Sequence, residues 1–202
     1  MSDGREIEIK FRIEDVPLLT RKLGRAGFRM VTDRTHEMNT LYDLPGSPLR
    51  RRGALLRIRK YGSKWTVTYK DRSRVGRHKT RREVETPVED GQALVQILEA
   101  CGFKPGFAYE KFRSEWSGGP SLTSGVEAGP PGVETPKRGS VVIDETPIGN
   151  FGEIEGPPGW IDEVARQLEI SEDLYITASY AELFVQWRKK TGSKVRDMRF
   201  PL

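Results

Sequence analysis

Between Glu6 and Phe11 ionised and apolar residues take turns: Glu6, Glu8 and Lys10 alternate with Ile7, Ile9 and Phe11. A β-strand points successive side chains to opposite faces, so this run has one greasy face and one charged face. The same rhythm returns five times. Arg57 and Arg59 flank Ile58 behind Leu56; Lys70 follows Thr66 and Thr68, opposite Trp65, Val67 and Tyr69; Glu83 and Glu85 enclose Val84; Lys111 and Arg113 enclose Phe112; Glu153 and Glu155 enclose Ile154. Strands are ordinarily poor in Glu and Lys, so six such faces need a reason.

With residues 39–42 and 140–144 these runs make eight short strands, over 6–13, 39–42, 54–60, 64–70, 82–88, 108–116, 140–144 and 151–155, joined mostly by short turns. That number and spacing predict a closed antiparallel barrel or a strongly curved sheet. A shift of 75 residues lays Ile13-Glu14-Asp15 onto Val88-Glu89-Asp90 and Gly27-Phe28 onto Gly102-Phe103, with Leu19 on Leu94 and Leu23 on Leu98. We read this as one strand-then-helix unit used twice, with Asp15 and Asp90 as helix N-caps and Gly27 and Gly102 as stops. Two more helices are expected over 160–168 and 174–188, the first opened by Pro157-Pro158.

Four amphipathic helices need an apolar sheet surface to cover. If the charged faces pointed outward there would be none. Turning the sheet over resolves the conflict: Ile7, Ile9, Phe11, Ile58, Val67, Val84, Phe112 and Ile154 face the helices, and the charges line the interior. Isolated buried charges are costly, so such a bore must hold water, ions and a highly charged ligand. Six bases (Lys10, Arg57, Arg59, Lys70, Lys111, Arg113) meet six acids (Glu6, Glu8, Glu83, Glu85, Glu153, Glu155), with Asp144 a candidate seventh acid. Arg and Lys are the usual partners of phosphate oxygens, and carboxylates without His or Cys select hard cations such as Mg2+ or Mn2+. A phosphate chain bridged to the acids by divalent metal satisfies both signs. The basic loop from Arg72 to Arg82 is placed near the mouth, where it steers anions inward.

Composition removes the competing metal chemistry. One cysteine, Cys101, and two histidines, His36 and His78, exclude a disulfide framework and a Cys- or His-built zinc site. Cys101 reads as packing, and neither histidine is given a role. The net charge of +5, from 34 basic and 29 acidic residues, allows a polyanionic ligand without demanding one. No apolar run reaches the roughly 18 residues of a membrane span and the first residues lack a signal peptide's apolar stretch, so a cytoplasmic, non-membrane protein is expected. The chain reads as a single domain over 1–188, with a flexible Gly/Pro-rich insertion at 117–139 and a solvated basic tail at 189–202.

The residues carry a family resemblance. Glu6-Ile7-Glu8-Ile9-Lys10 has the ExExK form that opens the CYTH superfamily of triphosphate tunnel metalloenzymes. It is followed in order by Asn39-Thr40-Leu41-Tyr42-Asp43, Leu56-Arg57-Ile58-Arg59, Thr66-Val67-Thr68-Tyr69-Lys70, Arg82-Glu83-Val84-Glu85, Lys111-Phe112-Arg113, Ile143-Asp144-Glu145, Gly152-Glu153-Ile154-Glu155-Gly156 and Ser179-Tyr180-Ala181-Glu182-Leu183. The chain resembles this superfamily over roughly 5–185, most closely its CyaB-like branch. The resemblance implies an α+β fold: a closed eight-stranded antiparallel tunnel with a charged interior and helices outside. It also implies an enzyme that uses Mg2+ or Mn2+ on a small triphosphate such as tripolyphosphate, ATP or thiamine triphosphate, with no nucleic-acid partner.

On that reading Glu6, Glu8, Asp144, Glu153 and Glu155 hold metal, and Lys10, Arg57, Arg59, Lys70, Lys111 and Arg113 hold phosphate. Lys10 and Lys70 add charge in the transition state, and Glu83 or Glu85 orients the attacking water. Three outcomes stay open: hydrolysis of the terminal phosphate, cyclisation of ATP as in class IV adenylate cyclases, and metal-free binding of polyphosphate or RNA ends. Family members are often dimers, which makes a homodimer a further expectation of the resemblance.

Overall fold

A computed structural model describes residues 5–120 and 139–201. The first half runs β1 (Arg5–Ile13), α1 (Val16–Arg25), β2 (Phe28–Asp43), α2 (Pro48–Arg51), β3 (Leu55–Tyr61), β4 (Lys64–Lys70), β5 (Arg74–Val75) and β6 (Lys79–Val88). Then come α3 (Gly91–Ala100), β7 (Lys104–Gly118), β8 (Ser140–Thr146), β9 (Gly149–Glu155), α4 (Pro158–Gln167), a 3-10 turn (Glu172–Leu174) and α5 (Tyr180–Thr191). Every pairing between these strands is antiparallel, in the order β1-β9-β8-β7-β2-β3-β4-β6. A further pairing of β6 with β1 closes the ring. The barrel therefore has eight strands, and the two-residue β5 hangs on β6 beside it.

The repeated unit is visible at both sites. Asp15 accepts from the Leu18 amide at 2.8 Å and Asp90 from those of Gln92 and Ala93 at 2.9 Å. Each cap satisfies amides that a helix start leaves orphaned. Gly27 and Gly102 follow the two helices at φ of 82° and 91°, a conformation that costs a β-carbon residue energy.

The greasy face of β1 meets α1 and α4 in the main core, where Ile9, Phe11, Ile13, Leu19, Leu23, Ile154, Trp160, Ile161 and Val164 are all buried. Gly152 lies opposite Phe11 in the β1–β9 register, and a β-carbon there would stand 2.1 Å from the Phe11 ring. We expect Gly152→Ala to destabilise the barrel by about 1–3 kcal/mol through overpacking, read as a lower urea midpoint.

Four expectations are corrected, the first being that Cys101 packs in the core: it caps α3 and is exposed. Helical cover is incomplete: Val84 faces outward but half of it meets solvent. The last long helix starts at Tyr180, where Ser179 forms a capping box with Glu182; before it the chain is extended and the Ile176 amide donates to Lys10 O at 2.7 Å. The tail is not wholly solvated. β8 pairs with β7 only from Phe112 onward, which leaves the β7 edge at 108–110 short of partners, and buried backbone groups need them. The tail supplies them: Met198 donates to Ala108 O at 3.0 Å and accepts from the Glu110 amide at 2.8 Å, and Asp197 accepts from the Ala108 amide. Met198, 1 % exposed, completes a second core with Tyr109, Phe151, Tyr180, Leu183 and Phe184. Of the expected insertion, Ser117 and Gly118 finish β7, and residues 121–138 lie outside the described ones.

Candidate active site

Cross-strand register decides what the bore contains. Lys10 lies opposite Glu153, Glu6 opposite Arg81, Glu8 opposite Lys79, Lys70 opposite Glu83, Glu37 opposite Lys111 and Arg113 opposite Asp144. Opposite charges facing each other across a ladder stabilise it, and like charges do the reverse. The exception in the lumen is Glu8 opposite Glu155. A cavity of about 630 Å3 runs inside the barrel, lined by eight basic and seven acidic side chains.

On one side Asp144 is the hub. Completely buried, it accepts from Lys111 at 2.9 Å, from Arg113 Nε and Nη2 at 2.7 Å each, and from the Tyr180 hydroxyl at 2.6 Å. Glu153 bridges Lys10 and Arg113. Burial alone would raise Glu153, but the Lys10 ammonium and the Arg113 guanidinium hold it well below the ordinary carboxylate range. Burial likewise works against the Lys10 ammonium, and Glu153 and Glu8 more than offset it, so Lys10 stays charged. On the other side Lys70 binds Glu6 and Glu83 at 2.7 and 2.8 Å, Arg81 binds Glu6 at 2.6 Å and Lys79 binds Glu8 at 2.7 Å.

Three of the four lumen arginines, Arg57, Arg59 and Arg113, are held through Nε or Nη2. Arg59 gives Nε to Thr66 and Nη2 to Glu85, Arg57 gives Nη2 to Thr68 and Glu85, and Arg113 gives Nε and Nη2 to its acids. The bonds of Arg59 and Arg113 leave from Nε and Nη2, and the buried Nε of Arg57 has no partner among the described residues. Fixed guanidinium forks with donors left over form a preorganised cradle for phosphate oxygens.

The acids divide by the same test. Asp144, Glu153 and Glu6 each have both oxygens committed to bases, and Glu8 has one. Glu155 has no ion pair among the described residues; burial, then the charges of Glu6 and Glu8, push its carboxyl up to about 7. Burial and Glu6 also raise Glu83, although Lys70 opposes the shift. Glu155, set beside Glu8 and without a base of its own among the described residues, carries the uncompensated charge that a hard cation relieves. No group of acids stands in metal-holding geometry among the described residues, since Glu6 and Glu8 are turned onto lysines and Arg81.

Every site residue expected from the sequence faces this lumen or, as with Asp144, the buried wall beneath it. Lys79, Arg81, Glu37, Glu115 and Tyr180 were not expected there. Lys79 and Arg81 share the parity of Glu83 and Glu85, so extending that alternation backwards would have found them; Glu37 shares the parity of Asn39. Tyr180 sits on a helix, and no strand periodicity points to it.

Glu37 is fully buried, accepting from Asn39 at 2.9 Å with Lys111 at 3.4 Å. Burial opposes its charge, but Lys111 and Arg113 lower its pKa to about 2. A carboxyl depressed on folding adds stability above its unfolded pKa of about 4.5, and that stability is lost as pH falls towards 2. We therefore expect unfolding free energy to fall from pH 4.5 to 2, and Glu37→Gln to flatten that part of the curve.

The chain matches the model of the CYTH domain over residues 4–182. It belongs to the CYTH family. A Methanocaldococcus jannaschii relative named "Putative adenylate cyclase MJ0240" is 29% identical over 178 residues, covering 88% of this chain and 97% of that one. Among solved structures, the PH1012 protein of Pyrococcus horikoshii OT3 is 25% identical with a TM-score of 0.65, covering 88% of this chain and 98% of that one. A Hippeastrum protein described as a putative adenylyl cyclase with dominant triphosphatase activity is 17% identical, has a TM-score of 0.61 and covers 92% and 96% of the two chains; at that identity it shows the shared fold.

Proposed function

We propose that this CYTH protein is a divalent-metal-dependent enzyme that hydrolyses the terminal phosphate of a small triphosphate. The observation that carries the reading is the barrel's split lining: arginines held through Nε and Nη2 on one part of the wall, and on another Glu155, a carboxylate with no ion pair among the described residues, directly opposite Glu8. A phosphate chain alone needs no acids in the lumen, and a cation alone needs no arginines.

Arg57, Arg59, Lys111 and Arg113 would bind the phosphate oxygens and hold the chain in line. Glu6, Glu8 and Glu155 would hold Mg2+ or Mn2+, which when bound polarises phosphate oxygens and neutralises their charge. Glu153 and Asp144 are better placed to orient Lys10, Lys111 and Arg113 than to ligate metal. Lys10 and Lys70, each paired with glutamates, would stabilise negative charge as the terminal phosphorus is attacked. Glu85, which accepts from Thr68 at 2.6 Å, is the carboxylate we assign to orienting the attacking water. No helix among the described residues is long and apolar enough to span a membrane, in keeping with a cytoplasmic enzyme.

Cyclisation of ATP is the second reading, favoured by the name of the Methanocaldococcus relative. It requires a purine site as well, and among the described residues the lumen offers a base Leu41, Leu55, Tyr109, Val142 and Tyr180 as its larger apolar contacts. The purified protein should be incubated with Mg2+ or Mn2+ and, in turn, tripolyphosphate, ATP and thiamine triphosphate. Orthophosphate release supports hydrolysis; cyclic AMP with pyrophosphate from ATP would replace it with cyclisation.

A further inference from the structure

Outside the bore, the turn from β4 to β6 encloses an open depression of about 980 Å3, lined among others by Arg72, Arg74, Arg81 and Arg82. Arg81 also lines the central cavity, and Lys70, a lumen residue, is two positions from Arg72. Arg72, Arg74 and Arg82 are exposed, and none of the three forms an ion pair among the described residues. The neighbouring side chains are otherwise engaged: Asp71 accepts from the Tyr69 hydroxyl at 2.8 Å, His78 is turned to Asp162 at 2.8 Å, and Arg77 lies 3.4 Å from both Asp162 and Glu172. α2 adds to the cluster, with Arg52 reaching the Tyr69 hydroxyl at 3.4 Å. Gly53, at φ 78°, lets the stem of Arg72 lie against bare backbone; a β-carbon there would stand 3.0 Å from Arg72 Cγ. Uncompensated like charges held together repel one another, and a polyanion relieves this while releasing its counterions.

Resting on the triphosphate reading of the bore, we infer that this arginine-lined depression is a second anion subsite, which holds the continuation of a linear phosphate chain whose end occupies the tunnel. The preferred substrate class is then inorganic polyphosphate longer than three phosphates. A nucleic-acid strand fits less well: single-stranded sites stack bases on aromatic side chains, and the lining of the depression holds no Phe, Tyr or Trp.

The test compares tripolyphosphate, long-chain polyphosphate and an oligonucleotide 5′-triphosphate on the wild type and on a triple variant, Arg72→Ala, Arg74→Ala and Arg82→Ala. Direct binding is measured separately from turnover. For long-chain polyphosphate the variant should raise Kd about tenfold or more and flatten its salt dependence, while Kd for tripolyphosphate changes about twofold or less. A second variant with lysine at the three positions should recover most of the affinity, which separates lost charge from damaged folding. Equal losses for both chain lengths, or no loss for either, would overturn the inference; so would tighter wild-type binding of the oligonucleotide with its loss in the variant. Failure to turn over tripolyphosphate counts against the function of the bore, whereas length-selective binding is read without any turnover.

Discussion

Arg113→Met is expected to lower unfolding free energy by about 3–5 kcal/mol, because it leaves buried acids without their cation. The affected groups are Asp144, which is fully buried and loses both arms of the fork, and Glu153, which loses one of its two bases. Lys111, Tyr180 and Lys10 remain, so the protein should still fold, with a lower urea midpoint. Adding Asp144→Asn should return part of the stability by removing the orphaned charge. It should not return tripolyphosphate binding, which needs the guanidinium itself. If the double variant regained both, Arg113 would be structural and the phosphate cradle would have to be redrawn without it.

Glu8→Gln should reduce metal-dependent turnover of tripolyphosphate roughly a hundredfold or more, the scale of losing one preorganised electrostatic group in a closed site. Glutamine keeps the shape and can still accept from Lys79, so the loss reads the charge. Binding of Mg2+ or Mn2+, followed by calorimetry, should weaken in parallel, since Glu8 and Glu155 form the like-signed pair that we assign to the cation. Glu153→Gln should lower turnover on the same scale by a different route, releasing Lys10 and Arg113 rather than the cation. Near-normal turnover in both variants would reject the assignment of the acids.

The barrel was legible because its charges obey a strict period. In β1 the sequence Glu6-Ile7-Glu8-Ile9-Lys10 states which face is wet, and the helices on the other face state which side must be greasy. Residues that break or outrun the rhythm were harder. Lys79 and Arg81 belong to a strand whose first half reads as a basic turn, because Gly76 and three nearby arginines mask the alternation. Glu37 lies where β2 has already been running for nine residues with little apolar content on its outer face. Asp144 reads as a ligand because an acid among bases suits either role; that Arg113 lies opposite it is set by the pairing of β7 with β8, which no local pattern carries. The docking of Met198 depends on a gap in β7 pairing, a tertiary fact that no local pattern carries.

The proposed function requires a triphosphate and its cation inside this barrel. A crystal of the protein grown with tripolyphosphate and Mn2+ tests it most directly, through anomalous scattering from the metal. Phosphate density is expected on Arg57, Arg59, Lys111 and Arg113, with an anomalous peak beside Glu6, Glu8 and Glu155. Ligand and metal found only on the outer surface, with the lumen holding water alone, would contradict it.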